Sequence, residues 1–295
     1  MTKFSPGCQL AKLCTRVYRV IFGCVALAVL AGCQSFFYFP LKEKLFDPAR
    51  IKMQAEEVFL KTVSGNTIHG WYFPATTKGP SKGTLLFFHG NAENLTSHFL
   101  MFHWLPGQGY NYFIFDYPGY GVSTGTPNPE SCVEAGIAAA EWLQLKKDTR
   151  PLIFYGHSLG GIVALRTAEE VKQTLPIRNI VIEGSFSSYQ RIARHVLSRR
   201  WFTWPLQPLA YVVMSDEYAP KSLASLSPIP LLFIHGDADN AVEPKNSEVM
   251  FAEAAQPKEH WVVPGGGHGN LFEVNNRQLR EQLLSYLAKT STAPP

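Results

Sequence analysis

The strongest constraint on the fold is a serine that lies between two apolar segments of different character. Leu152–Tyr155 is a short apolar run ending at a glycine, as in a buried strand, and the Ala- and Leu-containing run after Ser158 is typical of a helix. Gly156 and Gly160 flank the serine and leave space for a sharp strand-to-helix turn that exposes its hydroxyl. The pattern predicts a catalytic nucleophile at Ser158, and a Gly-rich structural turn is the alternative.

The residue after the serine has a predicted role of its own. Leu159 begins the predicted helix, so its N–H lies at the positive end of the helix dipole. A turn of this kind aims that N–H at the position where a substrate oxyanion would form. We therefore expect the backbone of Leu159 to contribute to an oxyanion hole.

The net charge of the chain is concentrated at its N-terminus. Of 27 basic residues, four precede residue 33 and no acid does, so the remaining 23 basic residues balance the 23 acidic ones. Because the remainder of the chain is neutral, its charge gives no support for a nucleic-acid partner. Its 46% hydrophobic content and 295 residues indicate one large folded domain.

An apolar segment follows those four basic residues. Val20–Leu30 is too short for a comfortable membrane span and is typical of a secretory signal. It leads into Leu30-Ala31-Gly32-Cys33, which resembles the signal of a bacterial lipoprotein. The resemblance implies a signal peptide over 1–32, lipidation of Cys33 and a linker over 33–54, with the domain held at a cell-envelope membrane. An uncleaved anchor with an unmodified Cys33 is the alternative.

The remainder of the chain alternates strands with helices. Val58–Val63 and Thr67–Phe73 predict a β-hairpin, and apolar strands at Thr84–Phe88 and Asn111–Asp116 precede a helix at Pro129–Lys147. We also expect helices at 93–105 and after Ser158, and a further strand at 179–183. The alternation predicts an α/β fold with a mostly parallel central sheet and helices on both faces. Cys132, the cysteine left after processing, is expected to be a packed residue.

Two late loops carry polar residues suited to acid–base chemistry. The strand Pro230–Ile234 is followed by Asp237 and Asp239, and either carboxylate follows a late strand closely enough to orient a histidine. His268 lies in a Gly-rich loop after a further predicted strand, His260–Val263, where it is poorly placed for core packing and well placed as a general base. A metal held by the two aspartates is a weak alternative, because no histidine or carboxylate cluster surrounds them.

Four segments together resemble the α/β-hydrolase superfamily, in the order that superfamily shows. They are 88–92, 116–121, 156–161 and the His235-Gly236-x-x-Asp239 motif, and the similarity covers about 55 to 288. The chain looks most like a small, membrane-associated branch with serine-aminopeptidase-like and lysophospholipase-like domains. The resemblance implies a hydrolase domain over 55–290 with a triad of Ser158, Asp239 and His268.

The resemblance also implies roles for two segments that the pattern alone leaves open. The backbone N–H of Asn91 would be the second oxyanion donor, although Asn91 could instead cap a helix after a simple turn. A short cap would occupy 184–228, where four arginines and the Trp201–Trp204 stretch lie. The cap could contact acyl chains or anionic head groups, or the arginines could be solvated and the tryptophans part of the core.

The function implied is that of a serine hydrolase of the carboxylesterase or lipase type. An acyl-enzyme on Ser158 requires no metal and no organic cofactor. A small-molecule or lipid acyl ester or thioester is the expected substrate. Attachment to the bacterial envelope through Cys33 is also expected, with the outer membrane slightly favoured because Gln34 and not Asp follows. Amide or peptide hydrolysis, and a non-catalytic lipoprotein that binds through a hydrolase fold, are the alternatives.

Overall fold

The computed structural model describes residues 37–146, 151–274 and 276–291. The predicted signal peptide and Cys33 lie outside the described residues. Among the helices that are described, none is both long and apolar enough to cross a membrane.

An eight-stranded sheet forms the centre of the molecule. In chain order its strands are β1 Glu56–Lys61, β2 Thr67–Phe73, β3 Thr84–Phe88, β4 Asn111–Phe115, β5 Leu152–His157, β6 Ile177–Glu183, β7 Leu231–Gly236 and β8 Lys258–Val263. Their order across the sheet is β8-β7-β6-β5-β3-β4-β2-β1. From β8 to β4 every neighbour is parallel, and β2 pairs antiparallel with both β4 and β1. The predicted hairpin and the mostly parallel sheet are confirmed.

Helices cover both faces of this sheet. They are α1 Leu95–His98, α2 Pro129–Leu145, α3 Leu159–Val171, α4 Tyr189–Ser198, α5 Ala210–Val213, α6 Lys245–Glu253, α7 Leu271–Val274 and α8 Asn276–Ser291. Short 3-10 segments occur at 48–51, 99–101, 105–108, 204–209 and 223–226. Away from the sheet, Phe39–Pro40 pairs with Ala92–Glu93 in a two-residue parallel bridge.

The core is divided by the sheet into two apolar layers. Residues of α2 and α3 pack on one face, and residues of α7, α8 and 95–105 pack on the other. The strands in the middle of the sheet are buried at every position, as β3, β4 and β5 are here. A continuous apolar run is the pattern expected of a parallel strand that is covered on both sides.

The helix expected over 93–105 is wrong as a single element. Asn94 caps a short α1, its side chain accepting from the N–H of Thr96 at 3.0 Å, and 3-10 turns follow. The buried side chains Leu95, Phe99, Phe102 and Leu105 are spaced by four, three and three residues. A three-residue spacing matches the 3-10 repeat, so tighter turns keep these side chains on the core face.

Candidate active site

The backbone of Ser158 adopts the strained conformation expected of a sharp turn between a strand and a helix. Its φ of 54° and ψ of −120° lie outside the favoured regions for an L-residue. Neighbouring groups hold the turn: the N–H of Ser158 donates to the carbonyl of Glu183 at 2.9 Å, and Ser185 Oγ donates to the carbonyl of Ser158 at 2.6 Å. The end of β6 thus fixes the serine that β5 and α3 present.

A chain of two hydrogen bonds joins the serine to a histidine and an aspartate. Ser158 Oγ lies 2.9 Å from His268 Nε2, and His268 Nδ1 lies 2.8 Å from Asp239 Oδ2. These residues come from three loops at the carboxyl ends of β5, β7 and β8. The three predicted triad residues are therefore brought together. With Nδ1–H donated to Asp239, Nε2 is the nitrogen that can accept the serine proton.

Asp239 is held as an anion beneath the histidine. Burial by itself raises the pKa of a carboxyl, but hydrogen bonds from His235 and His268 and from the N–H of Val242 outweigh burial and hold the pKa of Asp239 well below its usual range. The Oδ1 atom accepts from the N–H groups of Ala241 and Val242 at 2.8 and 2.9 Å. The carboxylate is thus fixed by its own loop and charged at neutral pH.

Asp237, the competing candidate, faces a different group. Its Oδ1 accepts from the N–H of Gly265 at 2.7 Å and so braces the loop that carries His268. The geometry places Asp239, and not Asp237, against the histidine ring. Within the three described ranges, no group of three or more His, Cys, Asp or Glu side chains is arranged to hold a metal ion.

The two residues predicted as oxyanion donors follow the carboxyl ends of two neighbouring strands in the middle of the sheet, β3 and β5. Leu159 is the first residue of α3, and a methyl group built on Gly160 would lie 1.9 Å from the carbonyl oxygen of Phe88. The start of α3 therefore packs directly on the end of β3, which leads into Asn91. Tyr120 Oη donates to the carbonyl of Asn91 at 2.6 Å and holds that peptide in place. The oxyanion role of both amides stays a prediction.

The side chain of Asn91 does not cap a helix, which was the alternative considered for it. Its Nδ2 donates to the carbonyl of Phe37 at 2.6 Å, and its Oδ1 accepts from the N–H of Phe39 at 3.2 Å. The cap of α1 is instead Asn94. Asn91 thus ties the first described residues of the chain to the carboxyl ends of the central strands, where Ser158 lies.

A buried glutamate beneath the site was not anticipated from the sequence. Glu183 accepts a hydrogen bond from Tyr155 Oη, and its Oε1 lies 3.6 Å from Nδ1 of His157. Burial raises the pKa of Glu183, but His157, Tyr155 and the nearby His268 outweigh that effect and lower it overall. The rings of His157 and His268 are 5.1 Å apart. The carboxylate of Glu183 is therefore a second negative charge close to the triad histidine.

Two other polar residues, Asp116 and His69, have structural partners. Asp116 Oδ1 accepts from the N–H of Leu95 at 2.7 Å and orients α1. His69 contacts Glu57 on the neighbouring strand, a pairing that sequence distance concealed. Cys132 is buried, and burial raises the pKa of its thiol far above the usual range, as expected of a packed cysteine and not a nucleophile.

Gly160 offers a direct test of the close packing between the start of α3 and the end of β3. Gly160→Ala should destabilise the fold by about 3 kcal/mol or more, because the new methyl group overlaps backbone atoms of Phe88 that cannot move independently. Thermal unfolding monitored by circular dichroism measures the effect. Gly107→Ala is the matched control, since a methyl group there meets no atom within 4 Å. Equal melting temperatures for the two variants would contradict the packing described.

Comparisons with known proteins agree with this fold. The family model described as alpha/beta hydrolase fold matches residues 83–207. The uncharacterized protein YfhR of Escherichia coli strain K12 is 31% identical over 287 residues, covering 92% of this chain and 95% of that protein. The chain therefore belongs to the α/β-hydrolase superfamily.

Solved structures support the same fold at lower sequence identity. The esterase Pf2001 of Pyrococcus furiosus is 19% identical with a TM-score of 0.68, covering 86% of this chain and 97% of that one. XC6422 of Xanthomonas campestris, described as an a/b serine hydrolase without a lid, is 18% identical with a TM-score of 0.59, covering 82% and 97%. At these identities the similarity establishes the fold.

Proposed function

We propose that this protein is a serine hydrolase that cleaves carboxylic esters through an acyl-enzyme on Ser158. The observation that carries the proposal is the hydrogen-bonded chain from Ser158 Oγ through His268 to the Asp239 carboxylate. Membership of a hydrolase superfamily and a strained backbone at the serine are further support. Structural neighbours that are described as esterases favour esters over other acyl compounds.

The reaction follows from the positions of the proton donors and acceptors. His268 Nε2 takes the proton of Ser158 as Oγ attacks the substrate carbonyl, and the Asp239 anion stabilises the imidazolium that results. The N–H groups of Leu159 and Asn91 would stabilise the oxyanion, at about 3–4 kcal/mol for each donor in comparable sites. His268 then protonates the departing alcohol, and water releases the acyl group by the reverse proton path.

The proposed substrate carries a small or single acyl chain. Ser158 is buried, at 9% exposed, but the His268 side chain beside it is 26% exposed, so the triad is open to solvent on the histidine side. Each buried CH₂ of an acyl chain adds only about 0.8 kcal/mol, so a shallow site gains little from long chains. Bulky triglycerides are therefore expected to be poorer substrates.

A substrate series separates ester hydrolysis from its two alternatives. Wild-type protein is assayed with p-nitrophenyl esters from acetate to palmitate and with anilides of the same acyl groups, and in parallel with a fluorophosphonate probe. We expect probe labelling, and ester cleavage that is fastest for short or medium chains. Comparable cleavage of the anilides would favour an amide hydrolase. The absence of both turnover and labelling would favour a non-catalytic binding module.

We also propose that the mature protein is anchored to the bacterial envelope by lipid on Cys33. The proposal rests on the Leu30-Ala31-Gly32-Cys33 box at the end of an apolar segment. Two or more acyl chains would give stable anchoring, whereas one alone binds marginally. Gln34 after the cysteine leans toward the outer membrane.

Replacing Cys33 should prevent lipid modification of the protein. Cys33→Ser is expected to remain an unprocessed precursor, while the wild type yields an N-terminal peptide that carries a diacylglyceryl group. Mass spectrometry of the membrane fraction measures both. Cys132→Ser is the matched control and should be processed normally. An unmodified Cys33 peptide in the wild type would reject the anchor without affecting the hydrolase proposal.

A further inference from the structure

The segment between β6 and β7 exposes an unusual concentration of large apolar side chains. Trp201 is 87% exposed and Trp204 is 62% exposed, so the interpretation of these tryptophans as core residues is wrong. Six more large apolar residues of the same segment are exposed: Val196, Phe202, Leu206, Leu209, Tyr211 and Val212. We call these eight residues the apolar cap surface. An exposed patch of this kind on a folded domain marks an interaction site.

The charge of this segment has one sign. Between Glu183 and Asp216 the sequence contains four arginines and no aspartate or glutamate. All four are exposed: Arg191, Arg194, Arg199 and Arg200. Two acids of neighbouring segments already have partners, since Asp216 accepts from Ser188 Oγ at 2.6 Å and Glu243 lies 3.3 Å from His195.

The exposure is a property of a cap that is fixed to the domain. Tyr189 and Ala193 of α4 are buried in the core layer that also contains residues of α2 and α3, as are Ala210 and Met214. Asp216 also accepts from the N–H of Gln190 at 3.2 Å and so holds the start of α4. The cap therefore turns one side inward and leaves its aromatic and basic side in water, where aromatic surface is costly to solvate.

We propose that the apolar cap surface docks on a membrane that contains anionic lipid. Tryptophan and tyrosine favour the boundary between head groups and acyl chains, while arginines beside them pair with lipid phosphates. A folded protein partner could also cover apolar surface, but four exposed arginines in a segment without an aspartate or glutamate match an anionic bilayer better than a mixed protein surface. Docking does not depend on catalysis and goes beyond the proposed hydrolase function.

The position of the cap gives docking a consequence for substrate access. β6 runs parallel to β5, so the cap leaves the sheet at the same edge at which Ser158 is presented. Gly184, where the cap begins, has a backbone close enough that an added methyl group would lie 3.5 Å from His268 Nδ1. A docked cap would hold the catalytic edge of the sheet close to the lipid head groups.

The test measures whether the cap tryptophans enter lipid. The full chain, isolated from membranes, is reconstituted into vesicles of phosphatidylcholine alone or with phosphatidylglycerol added, each with acyl chains brominated to quench tryptophan fluorescence. The cap signal is the difference between wild type and W201F/W204F. We expect strong quenching of that signal in anionic vesicles, weaker quenching in neutral ones, and loss of the difference at high salt.

Matched charge variants test the electrostatic part. Arg199→Gln/Arg200→Gln should weaken docking roughly 25-fold, at about fivefold for each cation near an anionic surface. Lys52→Gln/Lys78→Gln removes two exposed cations elsewhere and should leave docking unchanged. Wild type that shows no quenching in anionic vesicles, equal quenching in both vesicle types, or equal effects of the two double variants would each overturn the proposal.

Two further measurements distinguish lipid docking from catalysis and from self-association. Ser158→Ala should dock as wild type does, and Arg199→Gln/Arg200→Gln should hydrolyse a soluble ester at the wild-type rate, so failure of docking and failure of hydrolysis are distinguishable. Light scattering of the detergent-solubilised chain reports self-association. If the wild type forms a stable dimer and W201F/W204F is monomeric, a second copy of the chain covers the apolar cap surface, and lipid docking is overturned.

Discussion

Ser158→Ala should lower kcat by about 10⁶-fold and leave the fold intact. The hydroxyl is the only part of the site that forms a bond to the substrate in the proposed mechanism, and removal of a serine nucleophile has an effect of about this size in enzymes of this type. Binding and oxyanion contacts would still support a residual rate above that of water. Single-turnover assays with the best p-nitrophenyl ester, together with fluorophosphonate labelling, measure the loss.

A matched serine controls for purely chemical effects of the substitution. Ser285→Ala removes the same hydroxyl from the exposed side of α8, where Oγ donates to the carbonyl of Glu281 at 2.8 Å. This variant should keep wild-type activity and labelling. Turnover by folded Ser158→Ala at the wild-type rate would remove Ser158 as the nucleophile.

Asp239→Asn should lower kcat by about 10⁴-fold. An amide in place of the carboxylate cannot stabilise the imidazolium, and it favours the tautomer in which Nε2 carries the proton and cannot accept one from Ser158. Asp237→Asn is the matched control, because its amide oxygen can still accept from the N–H of Gly265. Rates for both variants, each checked for folding, measure the difference. A larger loss in Asp237→Asn would transfer the role to that residue.

Comparison of Asp239→Asn with wild type also tests a pH dependence of stability. Because the pKa of Asp239 is lowered in the folded state, the ionised carboxylate stabilises the fold above its unfolded pKa of about 3.9. That contribution decreases as the pH falls toward the folded value. The melting-temperature gap between wild type and Asp239→Asn should therefore be constant near neutrality and narrow below about pH 4. A gap that widens on acidification would contradict this assignment.

Features that depend on neighbours in sequence were predictable. The strand, glycine and serine pattern at 152–165 contains the geometry of the turn, since both glycines are required locally. The hairpin at 56–73 and the buried parallel strands follow from side-chain alternation and continuous apolar runs. His268 stood out because a histidine among glycines has little to pack against. These residues also carry most of the proposed chemistry.

Features that depend on contacts between distant segments were not predictable. Glu183 ends an ordinary apolar strand, and its position near His157 follows only from the register of β5 against β6. His69 finds Glu57 through the pairing of β1 with β2. The exposure of Trp201 had no local signature, because an aromatic residue among apolar and basic ones is equally compatible with core and surface. Tertiary packing decides each of these cases.

The hydrogen bonds between Asn91 and the first described residues set a limit on reach. Phe37, whose carbonyl accepts a hydrogen bond from Asn91, follows Cys33 by only four positions. A peptide of that length spans at most about 14 Å when fully extended. A lipid on Cys33 would therefore hold the domain close to the membrane surface and not on a long flexible linker. An enzyme tethered in this way samples molecules that arrive at, or reside in, its own membrane, and the supply of substrate to that surface would govern its turnover in the cell.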